Sequence, residues 1–86
     1  MIKEFTIIDE AGLHARPASL LSQQATKFPN DIFIEYSGRK MTLKSILIVM
    51  SLGIPQGATI KLHVEGENDT NIMAALEKIL VDHQLV

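Results

Sequence analysis

The sequence predicts an α+β fold: an open-faced β-sandwich, with a four-stranded antiparallel sheet carrying two longer helices and one short helix on one face. Three observations lead there. The segment Ala58-Thr59-Ile60-Lys61-Leu62-His63-Val64-Glu65 alternates, with Ile60, Leu62 and Val64 on one side and Lys61, His63 and Glu65 on the other, the pattern of a strand with one wet face. Two further segments, one opening at Pro17 and one after Asn68, repeat apolar residues at helical spacing along a single stripe. The elements run strand, helix, strand, strand, short helix, strand, helix, and elements with one apolar face each must bury those faces against one another.

Taken in order, Ile2 to Ile8 is rich in β-branched and aromatic residues and reads as the first strand. Asp9-Glu10-Ala11-Gly12 is a polar turn, and Gly12 supplies dihedrals that other residues avoid. Asp9 and Glu10 are candidates to orient a nearby side chain, but the commoner role of such acids is that of plain turn residues. The first helix is expected to start at Arg16 or Pro17, since proline suits a first helical position, and to end near Lys27 or Phe28, ahead of Pro29. Ala18, Leu21, Ala25 and Phe28 form its apolar stripe.

Pro29-Asn30-Asp31 turns the chain into Ile32-Phe33-Ile34-Glu35-Tyr36, the clearest strand signal in the sequence. Ser37-Gly38-Arg39-Lys40 is a short connection into a strand at Met41-Thr42-Leu43, so the second and third strands are expected to pair as an antiparallel hairpin. Ser45 to Gly53 is ambiguous by propensity, because Ile46-Leu47-Ile48-Val49-Met50 also suits a buried strand. The flanks favour a short helix: Ser45 is a good N-cap, Gly53 a good residue just past the C-terminus, and Pro55 follows. A helix so short cannot hide all its apolar side chains, and some are expected on the surface as a docking patch. The last helix is capped by Asn68, Asp69 or Thr70, buries Ile72, Leu76, Ile79 and Leu80, and places His83 at its far end. His63 reads as a solvated sheet residue and His83 as a cation complementing a helix terminus.

The 86 residues are read as one domain, 1–86, with a single modest core and no linker or repeat. No apolar run approaches the ~18 residues of a membrane span, and the amino terminus lacks a signal-peptide pattern, so no membrane insertion and a cytoplasmic location are expected. With no cysteine, disulfides and thiol chemistry do not arise. The formal charge of −2 comes from 8 cationic and 10 anionic residues well mixed along the chain, which argues against a nucleic-acid surface. The 3 histidines fall on separate elements without ligand spacing, so no metal site and no cofactor are expected.

The most informative stretch is Gly12-Leu13-His14-Ala15-Arg16-Pro17-Ala18-Ser19, which places a histidine at the mouth of a helix. The first turn of a helix has unpaired N–H groups and roughly half a positive charge, a ready site for an anion. A phosphoryl group on His14 could take hydrogen bonds from those amides and a charged contact from Arg16. The same positive charge favours the neutral, nucleophilic ring, and histidine is among the few side chains that form covalent intermediates. Judged on His-x-Arg alone, an ordinary loop histidine is the commoner reading.

Gly12-Leu13-His14-Ala15-Arg16-Pro17-Ala18, followed by Leu43-Lys44-Ser45-Ile46 and Val49-Met50-Ser51-Leu52-Gly53, resembles HPr, the histidine-containing phosphocarrier family of the bacterial sugar phosphotransferase system. The resemblance spans essentially the whole chain, and its second motif is similar to the Gram-positive form. It implies the open-faced sandwich derived above and a carrier rather than an enzyme. Enzyme I would phosphorylate His14 on Nδ1, Arg16 would contact the phosphate, and IIA domains of sugar permeases would take the group onward. It further implies regulatory phosphorylation of Ser45 by an HPr kinase/phosphorylase, and recognition of that form by a catabolite-control transcription factor. Partner docking is expected on Ala15, Leu20, Ile46, Leu47, Ile48 and Met50. Ile48 departs from the small glycine common at that place and adds bulk to the docking surface. Two other readings stay open: a regulatory paralogue working through Ser45, and a small binding module in which both motifs are accidental.

Overall fold

The computed structural model describes residues 1–86. Its elements are β1 (Ile2–Thr6), α1 (Ala15–Thr26), β2 (Ile32–Tyr36), β3 (Arg39–Thr42), α2 (Ile46–Ser51), β4 (Thr59–Val64) and α3 (Asp69–Asp82), in the order predicted. The four strands form one sheet in the order β1-β4-β2-β3, and every neighbouring pair is antiparallel. Because β4 lies between β1 and β2, each helical crossover skips one strand. Ile34 pairs with Leu62 on one side and Met41 on the other, which aligns the apolar side chains on the face that the helices cover. Ala18, Leu21 and Ala25 of α1 and Leu76 and Leu80 of α3 close that core with no exposed surface.

Several boundaries differ from the sequence reading for identifiable reasons. Helix α1 starts at Ala15, with His14 as its N-cap, so Pro17 is the third helical residue. A proline costs nothing there, since the amide of that position has no intrahelical acceptor either. The β2–β3 connection is two residues, not four. Ser37 and Gly38 have φ of 53° and 78°, a primed turn whose twist matches the flanking strands, and Arg39 pairs with Tyr36. Leu43 falls beyond β3, although its N–H still donates to Ile32 O at 2.9 Å. Strand β1 stops at Thr6; Ile7 N–H donates to Ala58 O at 2.8 Å and Ile8 N–H to Leu85 O at 2.7 Å, joining this edge to the carboxyl-terminal tail.

Helix α2 resolves the ambiguous segment. Ser45 is extended and its Oγ accepts from Ile48 N–H at 3.4 Å, while Gly53 follows the C-cap Leu52 with φ of 60°. Of its apolar residues, Val49 is buried and Leu47 is 81% exposed. Asn68 caps α3 through its backbone, with φ of 61° and no side-chain bond, and Met73 joins the buried stripe while Ile79 is only partly covered. No helix is long and apolar enough to cross a membrane.

His63 corrects the sequence reading. It lies on the face away from the helices, as alternation requires, yet is only 8% exposed. Ile2 and Phe33 are its register partners on the two flanking strands, and Nε2 lies 2.8 Å from Glu35 Oε1. A residue in a central strand is covered by its cross-strand neighbours, and alternation along one strand does not reveal who they are.

Burial predicts unequal sensitivity to truncation. Leu62→Ala should cost about 2–5 kcal/mol, whereas Leu47→Ala should fall within about 0.5 kcal/mol of the unsubstituted protein. Urea denaturation of both variants checks this.

Candidate functional site

The loop between β1 and α1 is built on one hydrogen-bonded turn. Asp9 Oδ1 accepts from Ala11 N–H at 2.8 Å and Asp9 O accepts from Gly12 N–H at 2.9 Å. Gly12 then runs against a second chain segment. Its φ is 66°, and a Cβ added there would lie 2.2 Å from Ile54 O and 2.9 Å from Pro55 Cα. Only glycine permits that approach. Leu13 follows with its side chain buried and its N–H donating to Ile54 O at 3.0 Å. His14 is thereby held between an anchored loop and the first turn of α1.

The histidine itself is presented outward. Its side chain is 44% exposed, and the ring makes no capping bond to the helix. The N–H groups of Ala15 and Arg16 donate to nothing in the protein, Pro17 has none, and the first turn contains no acid. Arg16 is exposed and forms no ion pair. Free amides at the positive end of α1 and an uncommitted guanidinium therefore follow His14 directly in the chain. One acid reaches the ring: Asp9 Oδ2 lies 3.6 Å from His14 Nε2. From the sequence Asp9 reads as a candidate to orient the histidine, with a plain turn residue as the commoner role. It is a turn residue through Oδ1, while its other oxygen faces the histidine.

The second region lies on α2. Ser45 is half-exposed, and the neighbouring Lys44 spends its ammonium on Phe28 O at 2.8 Å. Leu47 and Met50 face solvent, Ile46, Ile48 and Leu20 are half-buried, and Ala15 is exposed. Helices α1 and α2 pack together, with Ser19 and Ser22 of α1 and Ile46 of α2 lining a shared groove. His63 and His83 belong to neither region, one lying on the open sheet face and the other at the end of α3.

Fold and site define a small open-faced α/β sandwich that displays one histidine at the N-terminus of its first helix. The family model described as "PTS HPr component phosphorylation site" matches residues 1–82, and the chain belongs to that family, the HPr phosphocarriers of the phosphotransferase system. The histidine-containing phosphocarrier protein of Mycoplasma is similar at a TM-score of 0.96 and 34% identity, over 100% of this chain and 98% of that one. The phosphocarrier protein HPr of Bacillus anthracis is similar at 0.82 and 38% identity, over 92% and 94%. Crh, the catabolite repression protein of Bacillus subtilis, is similar at 0.72 and 32% identity, over 98% and 95%.

The loop geometry separates two glycines that share positive φ. Gly53, with nothing within 4 Å of an added Cβ, should lose about 1 kcal/mol on substitution by alanine. Gly12→Ala adds a backbone clash to the same strain and should lose about 3 kcal/mol or more. Urea midpoints at constant m-value check the difference.

Proposed function

We propose that this protein accepts a phosphoryl group on His14 from phosphorylated enzyme I and passes it to the IIA domains of sugar permeases, working in the cytoplasm as a carrier without turnover of its own. The observation that supports this most is the exposed His14 at the N-terminus of α1, followed directly by the unpaired N–H groups of Ala15 and Arg16 and by an Arg16 guanidinium that forms no ion pair. Phosphoryl transfer passes through a loose transition state with charge spread over the equatorial oxygens, so catalysis is mostly alignment and positive charge. Two amides and a guanidinium match that need. A ring open to solvent suits a group that donor and acceptor proteins must reach in turn.

The exposed Leu47 and Met50, with Ile46, Ile48, Leu20 and Ala15 around them, serve as the docking surface in this reading. Serial partners call for a small, short-lived interface, at or below the ~1,200 Å² of weak transient complexes. Ile48, where the resemblance to HPr implies a small glycine, makes this surface bulkier. Ser45 is the regulatory site for an HPr kinase/phosphorylase. A phosphate there adds about −1.5 to −2 charges at a helix N-terminus that tolerates it, so α2 survives while an apolar partner face beside it is repelled. The same anion offers a handle to a catabolite-control transcription factor.

Similarity to Crh supports a second reading, in which phosphorylated Ser45 carries the main function. The His14–Arg16 pair favours the carrier.

Incubation with phosphoenolpyruvate and enzyme I should yield an acid-labile phosphoprotein modified at His14, and His14→Ala should abolish it. Arg16→Ala should slow the transfer about 10- to 100-fold, or about 1.4–2.7 kcal/mol of transition-state stabilisation; an unchanged rate would remove Arg16 from the site. Leu47→Asp and Ser45→Asp should each raise the KM for enzyme I at least about tenfold with little change in maximal rate. Rapid-quench kinetics over a range of carrier concentrations separates the two parameters.

A further inference from the structure

Asp9 is held in place by groups that have nothing to do with the histidine. Its Oδ1 is occupied by Ala11 N–H at 2.8 Å and its carbonyl by Gly12 N–H at 2.9 Å, inside a loop pinned to Ile54. What remains free is Oδ2, which lies 3.6 Å from His14 Nε2. No other carboxylate lies within ion-pair distance of the ring. The two nitrogens of His14 therefore meet unlike surroundings, a fixed acceptor on one side of the ring and none on the other.

We infer that Asp9 is a positioning residue for His14: its free carboxylate oxygen keeps the proton on Nε2, leaving the lone pair on Nδ1 as the nucleophile. A neutral imidazole carries one proton, and the nitrogen facing a hydrogen-bond acceptor keeps it. The gap of 3.6 Å is an ion-pair distance rather than a hydrogen bond, and such contacts commonly tighten only when the reacting group arrives. In the transfer itself the Nδ1 lone pair forms the new N–P bond as the bond from phosphorus to the donor breaks, and the electron pair of that bond returns to the donor. Nδ1 has no proton to shed, and Nε2 keeps its own. The ring gains positive charge as the bond forms, so the Asp9 carboxylate attracts it more strongly at the transition state than before. The anionic oxygen sits across the ring from the nitrogen that takes the phosphate, so it does not compete for that place.

This inference rests on the carrier reading, and the experiment tells their failures apart. Asp9→Asn keeps an oxygen to accept from Ala11 N–H while removing the charge, so the loop should persist, and an unchanged urea midpoint verifies it. Nitrogen-15 NMR of the unphosphorylated ring should show the Nε2–H form dominant in the unsubstituted protein and a mixture of both tautomers in Asp9→Asn. Transfer from enzyme I should slow about fivefold, the scale of a partly exposed ion pair, and Asp9→Glu should recover part of both effects. Equal tautomer populations in the two proteins would overturn the inference, even if transfer slowed. So would a changed tautomer with an unchanged transfer rate. If the unsubstituted protein takes no phosphate on His14, the carrier reading fails and the inference falls with it; if it is phosphorylated normally and only the Asp9 effects are missing, the carrier reading stands alone.

Discussion

The position of His14 depends on a backbone seam between residues 7–13 and 54–58. Ile7 N–H donates to Ala58 O at 2.8 Å, Gly57 N–H to Ile7 O at 2.7 Å and Leu13 N–H to Ile54 O at 3.0 Å, while Gln56 Nε2 donates to Ile8 O at 3.1 Å. At Gly12 the two chains come so close that a methyl group has no room. Loops are ordinarily the mobile parts of a domain. This one is stitched along its length to the segment that leads into β4, a central strand of the sheet. The histidine can therefore be exposed and fixed at once.

Most cationic side chains are engaged within the protein, and Arg16 is not. Most other cations near a partner are already committed: Lys3 pairs with Glu77, Lys78 with Asp82, Lys44 bonds Phe28 O, and Lys40 lies 4.6 Å from the Phe33 ring centroid. The amino-terminal ammonium donates to Val64 O and faces Asp69. Arg16 has no such partner, and α1 opens without an acid in its first turn. In the carrier function proposed above, a phosphate arriving at His14 finds a guanidinium and amides that need not first break other bonds, and an interaction organised in advance costs little at the moment of transfer.

The two faces of the sheet have separate duties. One is covered by the helices and holds the core; the other remains open, with His63 and Glu35 bonded across β4 and β2 between Ile2 and Phe33. A polar pair satisfied in this way lets the open face bury part of a histidine without leaving its ring nitrogen unpartnered. The helical layer instead presents exposed groups outward: the start of α1 carries His14, and α2 carries Leu47 and Met50 outside the core. Leu47 is outside because a helix turns successive side chains to different sides, and the inward side of α2 is taken by Val49, with Leu52 just past it also buried.

Much of this was legible in the residues alone. Periodicity identified the strands and long helices, Ser45 and Gly53 bounded α2 against its own strand propensity, and Pro17 after His14 marked a helix with a histidine at its mouth. These are local signals, carried by side-chain spacing and by backbone preferences within a few residues of each other. The tertiary structure alone decided what depends on residues distant in the chain. It placed β4 between β1 and β2, which covered His63 and paired it with Glu35. It shortened the β2–β3 turn to match strand twist, and it folded Asp9 back so that one oxygen faces His14. Local sequence specifies which conformations the backbone accepts; which side chains then meet is set by the packing of segments that spacing along the chain does not relate.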